Sequence, residues 1–152
     1  MLTKLQIFFN RYLSEKKQEE TPLEHRLQLA SAALMVEMIH VDEEVSDHEE
    51  RQLRQLIEQR FQLSGAEIED LVQLASDEKH EATDYYAFTS LLNAHYSQTQ
   101  KINLVQDLWQ LAYADDRLDK YEEHLLRRLA DLLHVPHQDF IRTKHSVLDG
   151  KR

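Results

Sequence analysis

The sequence predicts an all-α fold of about eight helices, and three observations carry that prediction. The 152 residues include only two glycines and two prolines, too few for the tight turns of a strand-rich domain. No segment sustains the apolar–polar alternation of a strand, whereas apolar residues recur at helical spacing along the chain. Helix-start signals, with Ser, Thr or Asp followed three residues later by Glu, stand before several of these runs. At 41% apolar residues the chain can bury a core.

The elements follow in order. Leu2, Leu5, Ile7, Phe8, Phe9, Tyr12 and Leu13 mark one broad helical face, and polar Gln18-Glu19-Glu20 ends that first helix. Thr21-Pro22-Leu23-Glu24 is a capping box with proline at the first helical position, opening a helix to about Val41. Its interior, LQLASAALMVEMI, has few charges and is expected to be largely buried. After an acidic turn, Ser46-Asp47-His48-Glu49 opens a helix to about Phe61, and Ser64-Gly65-Ala66-Glu67 opens one through about Ser76. Asp77–Ala82 reads as a charged loop. A helix near Thr83 carries Tyr85, Tyr86, Phe88, Leu91, Leu92 and Tyr96, and the aromatic run Tyr85, Tyr86, Phe88, Tyr96, then Trp109 and Tyr113, has a helical spacing that fits a core or a partner groove. Helices from about Thr99 to Ala114, from Asp119 to about His134, and from Pro136 to about Leu148 complete the chain.

An offset of 73 residues relates the two halves. It pairs Asp42 with Asp115, Glu43 with Asp116, Val45 with Leu118, Ser46 with Asp119, Glu49 with Glu122, Leu53 with Leu126 and Leu56 with Leu129. Each half reads as a buried helix, an acidic turn, a capped amphipathic helix, a break and another helix. The expected organisation is an amphipathic basic helix over residues 1–20 and a helical domain over 21–152. Within that domain two pseudo-symmetric units, at about 23–76 and 99–148, share one core.

Composition excludes several functions. The chain has no cysteine, so disulfides, zinc–thiolate centres and thiol nucleophiles are out. Two glycines do not build a phosphate loop. A net charge of −10 disfavours duplex nucleic acid as the main partner. The charge is uneven. Lys4, Arg11, Lys16 and Lys17 against Glu15 give the first 17 residues +3, so the rest carries −13. That basic helix supports two readings: packing on its own domain, or peripheral docking on an anionic membrane or in a partner's groove. No apolar run approaches the roughly 20 residues of a membrane span, and the start lacks the pattern of a signal peptide, so the expected location is cytoplasmic.

At Ala112-Tyr113-Ala114-Asp115-Asp116-Arg117-Leu118-Asp119-Lys120-Tyr121-Glu122, and less closely at Ile39–Glu49, the sequence resembles the TerB-like family. This is the tellurite-resistance-associated helical domain, which also appears near the N-terminus of the membrane-anchored co-chaperone DjlA. The likeness covers roughly residues 23–148. It departs from the family pattern where glycine after the Asp is replaced by Glu43 or Asp116, and where Val41 replaces a small residue. The resemblance implies an all-helical, cytoplasmic, non-enzymatic module associated with tellurite resistance and stress protection, often beside membrane partners. It also implies acidic loops that bind a divalent cation.

The residues themselves leave that last point open. Asp42, Glu43 and Glu49 in one half, and Asp115, Asp116, Asp119 and Glu122 in the other, are the candidate metal ligands. Hard cations such as Ca²⁺ or Mg²⁺ take closely spaced carboxylates. Asp42 and Asp115 also follow helix C-terminal ends, where the dipole disfavours negative charge. Against this, Ser46 and Asp119 fit N-caps, with Glu49 and Glu122 as the reciprocal capping residues, and the EF-hand spacing is absent. Glu37-Met38-Ile39-His40 has the Glu-x-x-His spacing of di-iron bundles, but Gln110 and Tyr113 stand at the equivalent positions, so the second pair is missing. No nucleophile–base–acid grouping is visible. The sequence therefore reads as a non-enzymatic module acting through protein partners.

Overall fold

The computed structural model describes residues 3–14, 21–39, 47–74, 82–113 and 120–150. Among these are eight helices and no strand: α1 Lys4–Tyr12, α2 Leu23–Ile39, α3 Asp47–Arg60, α4 Gly65–Gln73, α5 Ala82–His95, α6 Gln98–Ala112, α7 Lys120–Leu132 and α8 His137–Gly150. The all-α expectation holds.

α2 is the central element because it has no polar face over its middle. Leu29, Ala30 and every residue from Ser31 to Met38 are buried. A helix apolar on all sides is stable only when other helices surround it, and α2 packs against α4, α5, α6 and α7. Its small residues, Ala30, Ser31, Ala32 and Ala33, lie near the middle of the helix and are all buried. α6 is the second core helix. Leu104, Val105, Leu108, Trp109 and Ala112 are buried, and the Trp109 indole N–H donates to the carbonyl of Phe140 on α8 at 3.1 Å. α7 is amphipathic: Leu125, Leu126, Leu129, Ala130 and Leu133 face inward while His124, Arg127, Arg128 and Asp131 face outward. Buried residues from all eight helices join one core.

Side chains tie the helix ends together. Arg60, closing α3, reaches Asp107 at 2.9 Å and Gln110 at 3.2 Å on α6, and the adjoining Gln62 N–H donates to Gln28 on α2 at 3.1 Å. The end of α3 thus stands where the first half of α2 meets the last turns of α6. At the end of α7, Asn93 donates to the Leu132 carbonyl at 2.8 Å and Gln98 to that of His134 at 3.1 Å. These bonds satisfy acceptors the helix leaves open. Buried Lys101 donates to Asn93 at 3.3 Å and completes the group.

The caps refine the sequence expectations. The Ser64–Glu67 capping box forms as expected. Two further boxes, Thr3–Gln6 and Ser97–Gln100, use glutamine as the returning residue, so a search for glutamate passes over them. α2 begins at Leu23, with the Pro22 carbonyl accepting from Arg26 N–H at 3.1 Å. Proline therefore stands one position earlier than expected. α1 ends at Tyr12 rather than near residue 17, because no apolar residue follows Leu13 to extend its buried face.

Candidate functional site

Two acidic segments, 40–46 and 113–119, follow the two core helices and precede the amphipathic helices α3 and α7. Asp42, Glu43, Asp115, Asp116 and Asp119 lie outside the described residues, as does Ser46. Glu49 stands in α3, with its side chain outside the described part. Glu122 is half-buried in the first turn of α7, where the helix dipole favours its charge. α2 ends at Ile39 and α6 ends at Ala112, so the C-terminal ends of two core helices lead into the two segments. Among the described residues, no group of three or more His, Asp or Glu comes together as a metal site.

α1 supplies the second candidate surface. Its apolar face turns inward: Leu5, Phe8 and Leu13 are buried, and Phe9 and Tyr12 are partly buried against the core. The Phe9 ring meets Phe88 of α5 edge-on at 5.3 Å between centroids, and Phe8 stacks on the same ring at 6.3 Å. The Tyr12 hydroxyl donates to Asp70 on α4, and Arg11 reaches the same carboxylate at 3.0 Å. Burial first, then the hydrogen bond to Asp70, pushes the Tyr12 phenol up to about 12. Among the six described apolar residues that mark this helix in the sequence, Ile7 is the large one left exposed, at 44%. Docking α1 on a membrane through this face would require its release from the core.

Inside the core, the Tyr85 hydroxyl donates to buried Glu37 at 3.3 Å. A carboxylate buried in an apolar helix needs such a donor, and Glu37 is visible in the sequence as the lone acid of LQLASAALMVEMI. On the surface, Glu67 accepts from Ser64 N–H at 2.8 Å and pairs with His25 Nε2 at 2.8 Å. Burial alone would raise the Glu67 carboxyl. The Ser64 and His25 contacts outweigh it and hold the group below its ordinary value. Neither Asp70 nor His25 carries a sequence signal, because both act through partners remote in the chain. The aromatic run of α5 and α6 is mainly core: Tyr85, Phe88, Trp109 and Tyr113 are buried, whereas Tyr86 is 64% exposed. An open cavity of about 190 Å³ between α6 and α8 is lined by Gln106, Gln110, Ser146, Val147 and Gly150, with no titratable group among them.

No described helix is long and apolar enough to cross a membrane. A family model described as tellurite resistance protein TerB matches residues 28–145, from α2 into α8, and leaves α1 outside the match. The comparisons with curated proteins and with solved structures gave no match.

Proposed function

Because this chain belongs to the tellurite-resistance TerB family, we propose that it is a non-enzymatic, cytoplasmic interaction module. It acts through protein partners and holds a divalent cation, Ca²⁺ or Mg²⁺, in its acidic turns. The observation behind the cation reading is the placement of the two acidic segments. Each follows the C-terminal end of a core helix, and the helices after them start at Asp47 and Lys120, the same 73 positions apart as the paired acids. The spacing also supports two related helical units. Acids at a helix C-terminal end oppose the dipole, and a bound cation would compensate them. Asp42, Glu43 and Glu49 would serve one turn, and Asp115, Asp116, Asp119 and Glu122 the other. Hard carboxylate oxygens suit either ion.

The competing role is helix capping by Ser46, Asp119, Glu49 and Glu122, worth about 1 kcal/mol for each cap. Recovery of partners from cells with the tagged full-length chain, in the presence and absence of Ca²⁺, tests the module reading. Specific partners are expected. A chain that recovers none under either condition contradicts it.

A further inference from the structure

We propose that the face of α4 and α5 beneath α1 is a docking groove for an amphipathic basic helix of a protein partner, and that α1 fills this groove in cis. The inference rests on the interaction-module reading and names its surface. α1 lies outside the family match over 28–145, whereas α4 and α5, which form the groove, lie within it. α1 is also delimited at both ends. A Thr3–Gln6 capping box opens it, and the Leu13 N–H bond to the Phe9 carbonyl closes it. Ten residues separate it from α2, enough to span roughly 33 Å when extended.

The contacts of α1 have the pattern of a helix seated in a groove. Leu5, Phe8, Phe9 and Tyr12 follow the i, i+3, i+4, i+7 spacing by which amphipathic helices anchor in partner grooves. Phe8 and Phe9 close on Phe88, and Leu5 is fully buried. At the far end of the helix, Asp70 takes both the Tyr12 hydroxyl and the Arg11 guanidinium. The groove therefore selects an aliphatic residue, two aromatic rings and a tyrosine beside a base. Long-range charge agrees, since the first 17 residues carry +3 and the remainder −13. A nine-residue helix is marginal alone in water, so α1 is held by its contacts and by the effective concentration of its tether. A partner helix bearing the same anchors competes for the same site.

The test uses the full-length chain. The double variant Leu5→Asp/Phe8→Asp removes the cis occupant, and fluorescence anisotropy follows a labelled synthetic peptide of residues 1–17. A second peptide keeps only the Leu, Phe, Phe, Arg and Tyr anchors on an unrelated helical sequence. Both peptides are expected to bind the double variant at least about tenfold more tightly than the wild type, where the tether competes. Adding Asp70→Asn weakens both severalfold, and a peptide with shuffled anchors does not bind. A double variant that keeps its helical spectrum and cooperative melting but binds neither peptide overturns the proposal, as does binding of the shuffled peptide. Where the double variant does not fold, wild type cut at a protease site placed between residues 15 and 20 gives the same reading, and failure to exchange α1 for labelled peptide overturns it. A wild-type dimer formed by exchanging α1 would assign the groove to a second copy instead and overturn the partner assignment. If no peptide binds while partners are still recovered from cells, the groove falls and the module reading stands.

Discussion

The Tyr12 hydroxyl and the Asp70 carboxylate join α1 to α4 across 58 positions of sequence, and Arg11 shares the same carboxylate oxygen. Replacing Tyr12 by Phe removes the donor and leaves a partly buried carboxylate with Arg11 alone. A loss of about 1–2 kcal/mol in urea unfolding is expected. The pH dependence has a defined sign. The folded phenol sits near 12, above its ordinary value of 10, so its contribution is complete below pH 10 and is lost as pH rises from 10 towards 12. Tyr12→Phe abolishes that part of the alkaline loss.

Glu67 gives the acidic counterpart. Its carboxyl is held below the ordinary value, so its contribution is complete above the unfolded carboxylate pKa of about 4.3 and fades as pH falls through the folded value. Glu67→Gln keeps the capping geometry but loses the charge paired with His25. The variant is expected to be less stable at pH 7 by less than about 1 kcal/mol, since solvent screens the pair, with the gap to wild type closing as pH falls through the folded value. Unfolding curves at pH 7 and at successively lower pH check this.

His134, two residues past the end of α7, has φ 59°, in the left-handed region. The bonds Val135 N–H to Ala130 carbonyl at 2.9 Å and His134 N–H to Asp131 carbonyl at 3.1 Å form a Schellman cap. A glycine takes this conformation without strain, so His134→Gly is expected to raise stability by about 0.5–1 kcal/mol. Differential scanning calorimetry measures the shift.

Trp109 is fully buried, stacks near Tyr113 at 5.8 Å and donates to the Phe140 carbonyl. Trp109→Phe removes that donor and part of the volume, with an expected cost of about 2–3 kcal/mol. Trp109→Ala opens a cavity and costs about 3–5 kcal/mol. Chemical denaturation of both variants orders them.

Much of the fold is legible in the sequence because its causes are local. The charge-poor run of α2 specifies a central helix, and Ser64 with Glu67 specifies a helix start. α7 shows its buried stripe directly in the spacing of Leu125, Leu126, Leu129 and Leu133. What is not legible depends on approach in space. Asp70 becomes the anchor of α1 only once α1 and α4 lie together, and Tyr85 becomes the donor for Glu37 only across α2 and α5. The two glutamine capping boxes lie between these cases: their cause is local, but the returning residue is glutamine rather than glutamate. Of the candidate ligands, the structure describes the side chain of Glu122; the two acidic segments are legible as a repeated sequence pattern that follows α2 and α6.

Calorimetric titration of the metal-stripped full-length chain with Ca²⁺ and with Mg²⁺ shows whether the acidic segments hold a cation. A saturable heat is expected with at least one ion, together with a stability gain of about 2.7 kcal/mol at 100 times the dissociation constant. Asp42→Asn and Asp115→Asn should each reduce both. No heat and an unchanged melting temperature with either ion would contradict the cation reading and leave the acidic turns as helix caps.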